Sequence, residues 1–350
     1  MSKVRPLERI DIVLTVFNQE EIIERVLHGI FRNTTTPFNL ILIFDGCNDH
    51  SKERSLVYIK KVKPYLMEKL ISHDTPNLFE LRANNFGFRL AETAHIITLQ
   101  DDMIIQEYGW ERRLTYPLRR YDDILAVSGR ASQDVKHMGN GIENYSNIFA
   151  METDIFSDQR NVFAIRDVCI RGPVALRNDY LKQLGYLNDR YAPGALDDAE
   201  ISLRAWLDRS WKVGAFWVKY LSKKEWSKVN APDSTMKAWE SCSRNRIRLY
   251  EDFKEYLDSG IKHDEDIRIG KDEIDYINGR NDFLIKSFWM LRYPIRFDKR
   301  RIKTLWNISR RMVMIAIKFP IIHFLGLFLG KKWTKEASES GFKDAIKNML

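Results

Sequence analysis

Two adjacent carboxylates, Asp101 and Asp102, stand inside the apolar stretch "HIITLQDDMII" (95–105). Charged residues are depleted in strands, and two side by side repel each other and are costly to desolvate. A divalent cation relieves that repulsion. Hard cations take oxygen ligands, and Mg2+ commonly combines one or two carboxylates with substrate phosphates. A strand ending in a solvated turn is the plainer alternative. Asp45 ends a second apolar run, "FNLILIFDG" (38–46). It can accept a hydrogen bond from a nucleobase N–H or a ribose hydroxyl, or simply open an Asp-Gly turn. The third acidic cluster is "LDDAEISLR" (196–204), with Asp197, Asp198 and Glu200. These residues suit the first turn of a helix. A carboxylate beside a second acid can also take a proton from an attacking hydroxyl.

The elements that must position these groups alternate along the first 130 residues. "RIDIVLTVFN" (9–18) has the β-branched, apolar composition of a strand covered on both faces. "QEEIIERVLHGIFRN" (19–33) carries a helical apolar stripe. A strand over 38–46 follows, then a helix over 51–70 interrupted near Pro64, a short strand over 77–84, a helix over 86–94 and a strand over 95–100. "WERRLTYPLRRY" reads as helix and "DILAVSGR" as strand. This alternation predicts a parallel α/β sheet, whose ligands bind beyond the carboxyl ends of the strands. Residues 131–160 are polar and predict a long loop. Strand-like composition returns over 162–178, helices are expected over 179–187 and 235–253, and 260–280 reads as a charged connector.

Absent motifs narrow the chemistry. "FGFRLAET" (86–93) holds one glycine and no G-x-G-x-x-G, and no P-loop occurs. Cys47, Cys169 and Cys242 are too scattered for a zinc site, and their sparse, odd count fits a reducing compartment. His28 and His95 lack a helical partner at metal spacing. The N-terminal residues lack a signal-peptide pattern, so a cytoplasmic protein is expected.

Taken in order, the segments resemble family 2 glycosyltransferases of the GT-A fold. "VLTVFNQEEIIERVL" resembles the opening strand and helix, and "LILIFDGCNDHS" the segment that holds the nucleotide. "RANNFGFRLAETAHIITLQDDMI" resembles the segment ending in the D-x-D motif. "RGPVALRNDYLKQLGYLNDRY", "LDDAEISLRAWLDRSWKVG" and "RNRIRLY" resemble the acceptor-side strand, the general-base motif and the helix after it.

The resemblance covers about residues 8–255. It implies an α/β GT-A architecture, a Rossmann-like, mostly parallel sheet flanked by helices, with a C-terminal helical, amphipathic extension. The catalytic domain would span 1–258, with a nucleotide-binding half over about 8–130 and an acceptor half over 131–258. The extension would span 259–350.

The resemblance also implies roles. Asp198 falls on the general base of inverting members. Thr15, Phe17, Asn18, Glu20, Asp45, Asn84, Arg89, Asp101 and Asp102 would bind the nucleotide sugar. Arg171, Gly172, Asp197, Glu200 and Arg204 would meet the donor or acceptor sugar. Asp102, with Asp101, would hold Mn2+ or Mg2+. Three positions depart from the family: Phe44 and Gln100 each replace an Asp, and no histidine follows the last strand, where Tyr220 or Ser222 stands instead.

The net charge of +8 is unevenly placed. Arg292 to Lys335 holds twelve basic residues and one acidic, a net of +11, so the remainder nets −3. A near-neutral body with a basic, apolar tail points to an anionic membrane surface rather than nucleic acid. Met312–Leu329 is eighteen residues long and is broken by Lys318, Pro320 and His323, which argues against a simple span. Packing on the catalytic domain or in a homodimer is the alternative for this tail.

The expectation is thus an inverting transferase that moves a sugar, most simply from a UDP-sugar, to a glycan or lipid-linked acceptor on the inner face of the plasma membrane. Two rivals remain. A sugar nucleotidyltransferase would want a Gly-rich basic loop where "TVFNQEEII" is acidic. A catalytically degenerate binding protein would explain Gln100 and the missing histidine.

Overall fold

The computed structural model describes residues 4–138, 141–147, 160–223, 226, 234–261 and 263–278. All fall within one compact unit, Met1–Lys286. The basic tail lies outside the described residues.

The first half alternates as expected. β1 (Ile10–Val16), α1 (Ile23–Asn33), β2 (Phe38–Asp45), α2 (Ser51–Val62), β3 (Met67–Thr75), α3 (Phe79–Arg89) and β4 (His95–Leu99) come first. They are followed by the short β5 (Ile104–Ile105), α4 (Trp110–Arg120) and β6 (Ile124–Ser128). The second half adds β7 (Ser132–Met138), β8 (Gly141–Asn147), β9 (Val162–Arg166), β10 (Val168–Cys169), β11 (Val174–Arg177) and α5 (Asn178–Gln183). α6 (Asp197–Arg209), β12 (Lys212–Ala215), β13 (Tyr220–Leu221), α7 (Ser234–Ser259), β14 (Glu265–Arg268) and α8 (Lys271–Asn278) complete it.

Nine strands form the central sheet in the order β14-β9-β12-β6-β11-β4-β1-β2-β3. β1 pairs in parallel with β2 and β4, β2 with β3, and β12 with β6. β11 is antiparallel to both β4 and β6, and β9 is antiparallel to β12 and β14. The sheet is therefore mixed but mostly parallel.

Alternation along the buried strands assigns side chains to two faces. Ile10, Ile12, Leu14 and Val16 of β1 join Leu40, Leu42 and Phe44 of β2 and the stripe of α1 in one cluster. Val13, Ile41 and Ile43 point the other way and meet Leu81, Ala83 and Phe88 of α3. Each such side chain contributes roughly 1.5–3 kcal/mol by leaving water. Gly87 lets α3 approach β1 closely, since a Cβ there would lie 2.5 Å from Val13 Cγ1.

Four local expectations fail for identifiable reasons. The second part of 51–70 is not helix: α2 ends at Val62, and β3 is a polar, largely exposed edge strand whose composition hides it. Residues 77–84 begin α3 rather than a strand, because the Phe79/Leu81 alternation is too short to reveal its period. The loop expected over 131–160 contains β7 and β8, which pair with each other, β7 pairing also with β10. The connector expected over 260–280 contributes β14 to the central sheet and α8 against α4. The sheet thus draws on residues beyond 258.

Candidate active site

The chemistry-bearing residues gather where β1, β2 and β4 end. Asp101 lies two residues beyond β4 and is half-buried. Its Oδ2 accepts the Phe17 N–H at 2.8 Å, and its Oδ1 accepts from Gln19 Nε2 at 3.3 Å. Gln19 Nε2 also donates to the Trp226 carbonyl at 2.9 Å. Burial pushes the Asp101 carboxyl up to about 7, with the Phe17 amide opposing it. Asp102 is half-buried, and burial raises its pKa as well. The Ser222 hydroxyl bonds it, and the Arg130 guanidinium favours its charged form. Its Oδ1 is buried with no hydrogen-bond partner.

The second side of the site is an ion-pair chain. Arg171 Nη2 lies 2.9 Å from Asp197 Oδ1, and Arg171 Nη1 lies 3.4 Å from Glu80 Oε1. Glu80 also accepts from Gln100 Nε2 at 3.3 Å. Arg171 Nε and Nη1, and both Asp197 oxygens, have no aligned hydrogen bond. Asp197 is fully buried at the start of α6. Burial raises its pKa and Arg171 opposes that rise, while the acids around Arg171 raise the guanidinium's own pKa. An uncompensated buried charge is costly, so the two charges depend on each other. Asp198, one residue on, is half-buried, and among the described residues its Oδ1 accepts only its neighbour's Ala199 N–H at 2.9 Å. Gly172 is forced by space and backbone. Its φ is +74, and a Cβ would meet Gln100 Oε1 at 2.9 Å and the Met103 thioether at 3.0 Å.

The remaining expected residues divide. Thr15 donates to Asn84 Oδ1 at 2.9 Å, joining β1 to α3. Asn18 Oδ1 accepts the Asn48 N–H and Glu20 Oε2 the His50 N–H, so both brace the loop after β2. Asp45 is buried; its Oδ1 accepts from Thr75 at 3.0 Å and from the Leu78 N–H at 2.7 Å, fastening the start of α3. Burial raises its pKa against those bonds.

Three expected residues are not brought to the cluster. Arg89 is the last residue of α3, ten residues beyond its start and about 15 Å along the helix, and it covers the Tyr186 ring. Glu200 grips Arg204 through Nε at 2.8 Å and Nη2 at 3.0 Å, and Arg204 donates to the carbonyls of Leu184 and Tyr186. The pair holds the chain before α6 in place rather than facing the acids. Conversely, Glu80 and Arg130 were not singled out in the sequence. An acid in the first turn of a helix is too common a pattern to flag Glu80.

The buried, partnerless Asp102 Oδ1 fits a hard cation that takes its other ligands from a diphosphate and water. Among the described residues no group of three acids, histidines or cysteines forms an all-protein cage. Asp102 would hold such an ion, with the Ser222 hydroxyl beside it.

A mostly parallel α/β sheet flanked by helices, with acids beyond its strand ends, is the architecture of the GT-A glycosyltransferases. Residues 11–185 match the family model for Glycosyl transferase family 2, and the chain belongs to that family. The crystal structure of GalNAc-T7 with UDP, GalNAc and Mn2+ is similar at TM-score 0.53 and 16% identity, over 72% of this chain and 50% of that one. The chain thus spans half the length of that structure. S. aureus TarS aligns at TM-score 0.43 and 11% identity, over 61% of this chain and 36% of that one. No curated protein matches the sequence.

Proposed function

We propose that this glycosyltransferase moves a sugar from a nucleotide-sugar donor, a UDP-sugar in the simplest case, to a hydroxyl of a glycan or lipid-linked acceptor with inversion. The observation that carries this reading is the pairing of a partnerless buried oxygen on Asp102 with a half-buried, side-chain-unpaired Asp198. Asp198 takes the proton of the acceptor hydroxyl, and that oxygen attacks the anomeric carbon on the face opposite the diphosphate as the bond from that carbon to the diphosphate oxygen breaks and the nucleoside diphosphate leaves. Arg171, whose Nε lies outside both of its ion pairs, supports developing negative charge nearby. Asp197 and Glu80 fix where that guanidinium sits. A divalent cation at Asp102, when bound, supplies further charge stabilisation of the diphosphate.

The test is a thermal-shift panel of UDP, GDP, CMP and TDP with Mn2+, Mg2+ or EDTA. A ligand that binds the folded state raises the melting temperature according to its affinity. One nucleotide should bind, with metal, and Asp102→Ala should remove the metal dependence. Asp198→Asn should keep that binding and lower transfer by roughly 10²–10⁴-fold, the size of a lost general base. A wild type that binds none of the four would sink the reading.

We further propose that 292–335 rests on an anionic leaflet on the cytoplasmic side, supported by its net charge of +11 and its apolar run. Full-length protein should sediment with vesicles containing phosphatidylserine and stay behind with phosphatidylcholine alone at low salt. Equal partition to both would remove the electrostatic basis.

A further inference from the structure

Seven described non-glycine residues have positive φ: Asn18, Lys63, Phe79, Tyr186, Ala195, Leu196 and Ser210. Four have ordinary reasons. Lys63 and Ser210 terminate α2 and α6, where the left-handed conformation satisfies helix carbonyls. Tyr186 follows Gly185 just past α5. Asn18 is of a type that adopts this conformation readily. The other three flank the site: Ala195 and Leu196 precede Asp197, and Phe79 (φ +64) precedes Glu80. For a bulky residue this is a genuine outlier, and such residues cluster where a ligand is held.

Phe79 is half-buried, and its ring joins none of the three hydrophobic clusters of the described residues. The same is true of Phe17. Their backbone positions bring them to one place. Val16 pairs with Phe44 across β1 and β2, so Phe17 continues beside Asp45, one strand spacing away. The Phe79 N–H bonds the Asp45 carboxylate from the other direction. Asp45 therefore lies between two phenylalanines that the core does not use.

We propose that Phe79 forms the second wall of a clamp for the donor's nucleobase, opposite Phe17, with the strained backbone as the means of presenting its ring. This deepens the nucleotide-sugar reading and rests on it. Stacking suits any base face, so the clamp supplies affinity for a nucleoside without choosing the base. It also accounts for a phenylalanine where glycine would be easier on the backbone.

The experiment compares wild type, Phe79→Gly and Phe79→Leu in calorimetric titrations with UDP, GDP, CMP, TDP and inorganic pyrophosphate, in Mn2+. Glycine removes strain and ring together; leucine keeps bulk and loses the aromatic face, and serves if the glycine variant is misfolded. The tightest-bound nucleotide should bind at least about ten-fold more weakly to both variants, as expected for one lost stacking contact. Pyrophosphate binding should not change. The melting temperature of Phe79→Gly should match or exceed that of the wild type, because glycine adopts positive φ freely. Wild-type nucleotide affinity in both variants overturns the clamp alone. Failure of the wild type to bind any nucleotide overturns the clamp and the donor reading together.

Discussion

The two ends of the central sheet differ in how their polar groups are satisfied. At the carboxyl ends of β1, β2 and β4, Asp197 and Arg171 are ion-paired without an aligned hydrogen bond, and Asp102 Oδ1 has no hydrogen-bond partner. At the amino ends the buried Asp11 carboxylate is matched at both oxygens, while Asn39 Oδ1, Asn178 Oδ1 and Glu111 Oε2 are buried without a hydrogen bond among the described residues. Asp11 Oδ2 accepts the N–H groups of Glu92 and Thr93 at 2.6 and 2.7 Å, and its Oδ1 accepts from Asn39 at 2.7 Å. Asn178 Nδ2 donates to the Thr93 carbonyl at 2.7 Å. Folding alone favours the Asp11 arrangement, since unpaired buried groups cost about 1–3 kcal/mol each. The charged groups of Asp102, Asp197 and Arg171 gather instead beyond the carboxyl ends, where α/β sheets bind their ligands.

The largest effect that could break this contrast is Asp11→Ala. It strands the Thr93 amide, the part-buried Glu92 amide and the buried Asn39 side-chain amide, so unfolding should need about 3 kcal/mol less. Transfer per folded molecule, measured well below the new melting temperature, should stay near wild type. A selective loss of turnover without loss of stability would mean that the amino ends also serve the chemistry.

A smaller effect concerns His95, at the start of β4. Burial, then repulsion from Arg119, Arg177 and Arg5, pushes its pKa down from 6.5 to about 4. The unfolded chain therefore takes up a proton near pH 6.5 that the folded chain refuses until about pH 4. Stability contributed above pH 6.5 is lost as pH falls through that window. The melting temperature of His95→Gln should fall less steeply over this range. Parallel wild-type and variant curves would show that the amino end holds no such strained group.

Much of the fold was legible because its signal is local. The continuous apolar runs of β1 and β2 and the striped α1 each carry their own period, and chemical type alone marked Asp45, Asp101, Asp102 and Asp198. β3 and β14 were missed because edge strands need only one paired neighbour and can be polar throughout. Arg89 and Arg204 looked like site residues because their charge is visible in sequence and their position along a helix relative to the strand ends is not.

By itself, then, the sequence determined the α/β class, the family resemblance and the acids that could do the chemistry, since composition and short-range period are properties of the chain. Only the tertiary structure decided which acids keep a free oxygen. Asp45 and Asp101 are occupied by amides of Leu78 and Phe17, while Asp102 keeps its Oδ1 without a partner. Those partners lie 33 and 84 residues away along the chain. A hydrogen bond across such a separation exists only once the sheet has brought the two segments together.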